Sequence, residues 1–255
     1  MRLNDEQIRY GFYYFHQDRA ADTVRAIEVS DHTSEQELDI SCTQLGPEYK
    51  SRKEEKRVLQ EWCEYLTENT KLFKVLRFNT RVPQELFDAA CHQQNLEHLE
   101  FHWGSYKDLS ALQGLKKLKL LYIGSGASVE SVTPLGKLTG LTGLYVENFQ
   151  KISDYSSLTA LKRLESLTIC GDGMGPRYIK VDSIDFLRQI PQLRYLRLLT
   201  IRLQSKDYTP ILELAKLEHL SLGSPREVKK IYDELRRLPK LKWGLLKENP
   251  KLYEG

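Results

Sequence analysis

His98, Glu100 and His102 are the residues of this chain best spaced to do chemistry. On an extended strand alternate side chains project to one side, about 6.6 Å between neighbours, a separation at which two imidazoles can share a zinc ion. Two histidines and a carboxylate would leave one coordination position open for a catalytic water. The pattern is permissive, because any polar strand face offers it, and no residue that would orient the imidazoles can be named. Ordinary exposed polar side chains account for the trio better than a metal site does. Gly171, Gly173 and Gly175 lack the lysine and the following helix of a phosphate-cradling loop. No serine or cysteine sits in a nucleophile motif with an identifiable base, and Cys63 and Cys91 read as small packing residues. No catalytic residue, metal or cofactor is therefore expected, and the chain is not expected to be an enzyme.

The composition points the same way. Among 255 residues, 40% are hydrophobic, enough for a continuous core, and 38 Lys+Arg against 35 Asp+Glu leave a net charge of only +3. A field of one sign that would draw in nucleic acid or an anionic membrane is not implied. The basic clusters at Lys50 to Arg57 and at Arg226, Lys229, Lys230, Arg236 and Arg237 read as solvated helix faces. The opening residues carry no apolar leader core, and no stretch reaches the ~18 apolar residues that cross a bilayer. Four widely spaced cysteines form no CxxC pair, which suits a reducing compartment. The expected address is the cytoplasm.

The elements that position these residues come from a repeat. The pattern L-x-x-L-x-apolar returns as Leu96-Leu99-Phe101, Leu118-Leu121-Ile123, Leu141-Leu144-Val146, Leu164-Leu167-Ile169, Leu193-Leu196-Leu198 and Leu217-Leu220-Leu222, its first leucines 22, 23, 23, 29 and 24 residues apart. Phe73-Leu76-Phe78 precedes the series and a degenerate copy follows from Leu241, giving about eight coils. Within each unit the apolar alternation builds a short strand. Eight residues before each first leucine stand Asp88, Ser110, Thr133, Ser156, Asp185, Thr209 and Asp233, all helix-capping types. They predict a short helix opening at each, with Thr133-Pro134 and Thr209-Pro210 placing proline at the first helical position. A helical bundle fails as an alternative, because the period resets every 22 to 24 residues and switches from three to two within each unit.

Residues such as Leu109-Ser-Ala-Leu112-Gln-Gly-Leu115-Lys-Lys-Leu118-Lys-Leu-Leu121-Tyr-Ile123 resemble the short leucine-rich repeats of internalins and of phosphatase-regulatory repeat proteins. The resemblance covers about residues 70 to 246. It implies an α/β solenoid, with a curved parallel sheet on the concave side, short helices on the convex side, and partner binding mostly through the sheet. The asparagine ladder of the family is missing: its position holds Arg81, Gly104, Gly126, Phe149, Asp172, Ile201 and Pro225.

The expected organisation is an N-terminal α/β cap over 1–70, a solenoid over 71–246 and a tail over 247–255. In the cap, Val24 to Val29 and Leu38 to Ile40 read as strands and 48–69 as a helix burying Val58, Trp62 and Leu66. Asn4 with Gln7 resembles a capping box, so the segment from Ile8 to Phe15 is read as helix, with an aromatic strand as the alternative. The long 29-residue spacing lies in Gly171 to Ile179 and predicts a loop on which Met174, Arg177 and Tyr178 could meet a partner.

Side by side, the outward strand positions give a middle column of Arg77, Glu100, Tyr122, Tyr145, Thr168, Arg197 and Ser221. Flanking it are His98 and Tyr195, with His219 and Trp243, on one side, and His102 and Glu147, with Asn79, on the other, with Trp103, Asn148 and Phe149 at the strand exits. Tyr, Trp and Arg dominate interface hot spots, and eight strands would span ~34 Å, the width of a small protein. The expectation is a non-catalytic module, monomeric when free, that docks a partner protein on its concave face. One version is a bacterial cytosolic inhibitor or immunity protein; the alternatives are a regulatory or scaffold subunit and a zinc enzyme built on the His98 strand.

Overall fold

A computed structural model describes residues 2–13, 24–173, 175 and 177–254. Its spine is one parallel sheet of nine strands. In spatial order these are β1 (Arg25–Ala26), β2 (Glu37–Ile40), β3 (Val75–Val82), β4 (His98–Gly104), β5 (Leu120–Ile123), β6 (Gly143–Glu147), β7 (Ser166–Cys170), β9 (Tyr195–Leu199) and β11 (His219–Leu222). Two further strands, β8 (Ile179–Val181) and β10 (Ile201–Leu203), pair separately, so the extra residues before Ile179 lead into a small second sheet.

Register follows the repeat. Leu76, Leu99, Leu121, Leu144, Leu167, Leu196 and Leu220 lie side by side and are fully buried, because each is the inward residue of its strand. One position on, Arg77, Glu100, Tyr122, Tyr145, Thr168, Arg197 and Ser221 form the outward column read from the sequence, and Asp39 of β2 extends it by one strand. The last repeat contributes only a single bridge between His219 and Trp243.

The convex turns differ from expectation in kind and in capping. Ser110–Gly114, Thr133–Lys137, Ser156–Ala160, Asp185–Gln189 and Thr209–Glu213 are single 3-10 turns, not α-helical ones. Ser110, Thr133, Ser156, Asp185 and Thr209 are the first residues of these turns, not their caps. The orphan N–H of each is taken two residues earlier, by Asp108 (2.8 Å), Ser131 (3.2 Å), Asp154 (2.8 Å), Ser183 (3.0 Å) and Asp207 (2.9 Å). Such side-chain turns are strong local competitors of helix; the coil ahead of β4 instead carries an α-helix over Gln84–Ala90, and Asp88 lies inside it and does not cap it. Each turn still buries its leucine or isoleucine: Leu112, Leu135, Leu158, Leu187 and Ile211.

Aromatic packing fills part of the inside of the coils, and at the position of the missing asparagine ladder it supplies Phe149. Phe78 stacks on Phe101 at 5.3 Å, Phe87 on Tyr106 at 4.8 Å, and Phe149 is fully buried. Gly126 exists for Phe149, since a methyl there would collide with its ring. Asn148 turns with φ 60 to deliver it.

At the amino-terminal end of the sheet, β1, β2 and helix α2 (Arg52–Glu68) cover the first coil, with Val58, Trp62 and Leu66 buried and the Trp62 indole donating to the Ile27 carbonyl at 2.7 Å. The expected strand from Val24 shrinks to two residues. At the other end the final residues do not trail as a tail: Leu246 and Tyr253 are buried, and the Tyr253 hydroxyl donates to the Leu222 carbonyl at 2.7 Å.

Residues 2–13 are not part of the cap. They form α1 (Asp5–Tyr10) and a turn through Phe12 and Tyr13, and they lie on the outward face of the sheet some coils away. The helical reading of Ile8 onward holds to Tyr10; Tyr14 and Phe15 fall outside the described residues.

Candidate functional site on the concave face

The amino-terminal segment is amphipathic by construction. The Asn4 side chain accepts from the Gln7 N–H at 2.8 Å while the Gln7 side chain accepts from the Asn4 N–H at 3.1 Å, closing the capping box. Gly11, with φ 93, ends the helix where a side chain would be strained. Leu3, Ile8, Phe12 and Tyr13 then share one buried face, whereas Asp5, Glu6, Arg9 and Tyr10 face solvent.

That face rests on Leu120, Tyr122, Tyr145, Cys170 and Tyr195, with Leu199 and Trp243 at its margin. This apolar cluster is distinct from the solenoid interior, which is closed by the inward leucines and aromatics. The Tyr13 ring centroid is 4.2 Å from that of Tyr145, and Tyr145 stacks on Tyr122 at 4.3 Å. Phe12 meets His98 edge-on at 6.3 Å and sits over Gly143. A methyl at 143 would come within 2.7 Å of the Phe12 ring, so glycine is what lets the segment reach the sheet.

Polar contacts fix the segment at three points. At its start, Arg194 donates to the Leu3 carbonyl at 2.8 Å and pairs with Glu165 (3.1 Å), Glu218 (2.6 Å) and Asp5 (3.5 Å), while Glu165 accepts from the Leu3 N–H at 3.3 Å. In the middle, His219 Nδ1 lies 2.8 Å from the Arg9 carbonyl and Nε2 lies 2.9 Å from the Ser221 hydroxyl. At the end, the Tyr13 hydroxyl accepts from Arg197 at 2.8 Å and bonds the Tyr195 hydroxyl at 2.9 Å.

Burial sets the titration here. It pushes the Tyr122, Tyr145 and Tyr195 phenols up and the Cys170 thiol up to about 12. Burial also lowers His219 to about 4, against the opposing bond to the Arg9 carbonyl and with the help of nearby Arg197. Its imidazole is neutral at pH 7, so Nδ1–H donates to Arg9 and Nε2 accepts from Ser221. For Glu218, burial acts upward, but hydrogen bonds from Arg194 and Lys242 outweigh it and hold the carboxyl below its ordinary value. These are properties of packed, paired groups and do not mark a nucleophile.

The sequence-derived candidates therefore separate. Tyr122, Tyr145, Tyr195 and Arg197 do share the concave face, but the chain's own amino terminus covers them, and they are not open to a partner while it is in place. Phe149 is a correction: its ring faces the interior and is fully buried. Asn148 is nearly buried as well. Arg77 is mostly buried between Asp39 (3.4 Å) and Glu100 (3.9 Å), and Glu100 is itself buried 2.7 Å from His98. Glu147 accepts from the Tyr145 hydroxyl at 3.2 Å and the Gly173 N–H at 3.0 Å. Exposed surface is found at His102, Arg177 and Tyr178, with Trp103 partly covered; Arg202 lies 5.3 Å over the Tyr178 ring. Met174 falls outside the described residues. Among the described residues, no group of three or more His, Cys, Asp or Glu is placed to hold a metal ion.

Sequence reasoning missed Leu3, Ile8, Phe12 and Tyr13 as occupants of the sheet, and Glu165, Arg194 and Glu218 as their polar frame. Two signals were present. Gly143 is a glycine where neighbouring strands carry Leu120, Ser166 and Tyr195, and the position just before each strand alternates as Glu165, Arg194, Glu218 and Lys242.

No protein-family model and no curated protein sequence matches the chain. Solved structures do resemble it. An internalin (inlF) from Listeria monocytogenes superposes with a TM-score of 0.50 at 18% identity over 82% of this chain and 52% of that one. An internalin C2 from the same organism gives 0.46 at 20% identity, covering 70% of this chain and 71% of that one. This chain thus matches about half the length of the first of these. The repeat, the nine-stranded parallel sheet and the likeness to the first of these structures show that the chain has the leucine-rich-repeat solenoid fold.

Proposed function

We propose that the protein is a non-catalytic module that binds another protein from its concave side. The observation that carries the reading is that this sheet already holds a polypeptide. Residues 2–13 are gripped through main-chain atoms at Leu3 and Arg9 and through aromatic rings at Phe12 and Tyr13, which are the means by which a surface recognises peptide chain. The exposed residues His102, Arg177 and Tyr178, with the partly buried Trp103, include types favoured at interfaces. Four free thiols, three of them buried, support a reducing compartment such as the cytoplasm. No helix among the described residues is long and apolar enough to cross a membrane.

Photo-crosslinking residues at positions 102 and 178, with exposed Lys162 outside the concave face as control, test the reading in cells that make the protein. One discrete protein adduct from 102 or 178 and none from 162 is the expected result. Equal labelling from 162 would overturn the concave assignment. Assaying the captured protein with and without this chain then separates the finer readings: a fall in its activity supports an inhibitor or immunity role, and a rise or no change supports a regulatory or scaffold subunit.

A further inference from the structure

Building on that reading, we infer that residues 2–13 are a self-ligand of the concave sheet, and that the partner presents a segment of the same chemistry and displaces them. That chemistry is a short helix with one apolar face, followed by an aromatic pair.

Four observations carry this. The solenoid core is complete without the segment: the inward leucines and aromatics form one cluster, and Leu3, Ile8, Phe12 and Tyr13 with their platform form another. Undocking therefore opens no interior and leaves the sheet with Tyr122, Tyr145, Tyr195 and Leu120 bare. Secondly, α1 has six residues, far below the length at which a helix holds in water by itself, so it exists because it is docked. Thirdly, its hydrogen bonds join residues 162 to 210 positions apart in the chain, and among the described residues no covalent staple holds it. Lastly, the platform is shaped for such an occupant: Gly143 leaves a niche for Phe12, Arg197 and Tyr195 meet a phenol, Arg194 and Glu165 meet one carbonyl and one N–H, and His219 meets a second carbonyl. A surface that satisfies main-chain groups at the start and middle of a segment and an aromatic hydroxyl at its close is a peptide site.

A tethered ligand competes at an effective concentration near millimolar, and a partner's apparent affinity falls by the fraction of open molecules. The segment thus excludes weak binders from the aromatic platform, and only a closely matching chain reaches it.

The test uses the full-length chain and, as probe, a labelled synthetic peptide with the sequence of residues 2–13. The wild-type chain is compared with a chain carrying Phe12→Ala and Tyr13→Ala. The opened chain is expected to bind the probe at least 10-fold more tightly than wild type, and a probe with the same two substitutions is expected not to bind. Binding to neither chain, or to both equally, overturns the inference. Should the variant fail to fold, brief trypsin digestion of the wild type decides: cleavage after Arg9 while the repeats stay intact supports a displaceable segment, and cleavage there only as the repeats are lost overturns it. Probe binding together with crosslinks from position 162 would sink the proposed docking side alone. Loss of probe binding with crosslinks still at 102 or 178 would sink only the self-ligand.

Discussion

Replacing Tyr13 by phenylalanine isolates the polar end of the docked segment. The ring, 4.2 Å from Tyr145, is retained, and one oxygen is removed. That oxygen accepts from Arg197 at 2.8 Å and bonds the Tyr195 hydroxyl at 2.9 Å. A hydrogen bond between neutral groups contributes about 1 kcal/mol and one to a charged donor about 1.5–3 kcal/mol. Because Arg197 is mostly but not wholly buried, water recovers a part of the second, and the combined loss is about 2–3 kcal/mol. Each 1.36 kcal/mol is a factor of ten, so the opening constant of the segment rises about 30- to 150-fold. Native-state amide exchange reads this directly. The Ile8 and Gly11 amides, bonded to the Asn4 and Gln7 carbonyls, are expected to exchange faster by that factor, whereas the Leu144 and Leu167 amides in the sheet keep their wild-type rates. Acceleration of the sheet amides by the same factor would show that segment and solenoid open as one unit and refute the reasoning. No acceleration at Ile8 would show that the hydroxyl contributes nothing.

Acidification should loosen the same segment. His219 is held near 4 when docked and returns to about 6.5 when released, so release binds a proton. Docking is unaffected by this group above pH ~6.5, weakens as pH falls towards 4, and loses about 2 kcal/mol by pH 5. Ser221, Tyr195, Arg197, the Arg9 carbonyl and Trp243 surround it, none of them titrating in that window, so His219→Gln should flatten the pH dependence of Ile8 exchange between pH 7 and 5. Gly143→Ala places a methyl 2.7 Å from the Phe12 ring and is expected to weaken docking by about 1–3 kcal/mol; unchanged exchange at Ile8 would contradict the niche. Phe149→Ala acts on the interior instead, at about 3–5 kcal/mol, and should lower the melting temperature by roughly 10 °C in calorimetry. A fall under about 2 °C would remove Phe149 from the core.

The coils were legible because their signal is periodic: each leucine alternation repeats the same demand on the backbone, and the register of Arg77 through Ser221 follows from it without further information. Capping went astray by two residues because the motifs Asp108-Leu-Ser110, Asp154-Tyr-Ser156 and Asp207-Tyr-Thr209 contain two candidate oxygens each, and only the three-dimensional turn selects the earlier one. Phe149 was misplaced because a strand's alternation stops at its last residue, and the positive φ of Asn148 turns the next side chain inward. The composition of the concave column was correct and its exposure was not. Tyr122, Tyr145 and Tyr195 have the same residue types whether they await a partner or lie beneath Tyr13, and a contact spanning 182 residues leaves no local mark at either end.

That span also orders events during synthesis. Phe12 and Tyr13 leave the ribosome well before Tyr195 and Arg197, which receive the Tyr13 hydroxyl. Coils stack on their nearest neighbours and can grow as they emerge, whereas the closure of so long a loop must wait for its far side. The growing chain therefore carries an unsatisfied aromatic pair until its later coils have stacked, and the docking of that pair into the bowl follows the building of the bowl.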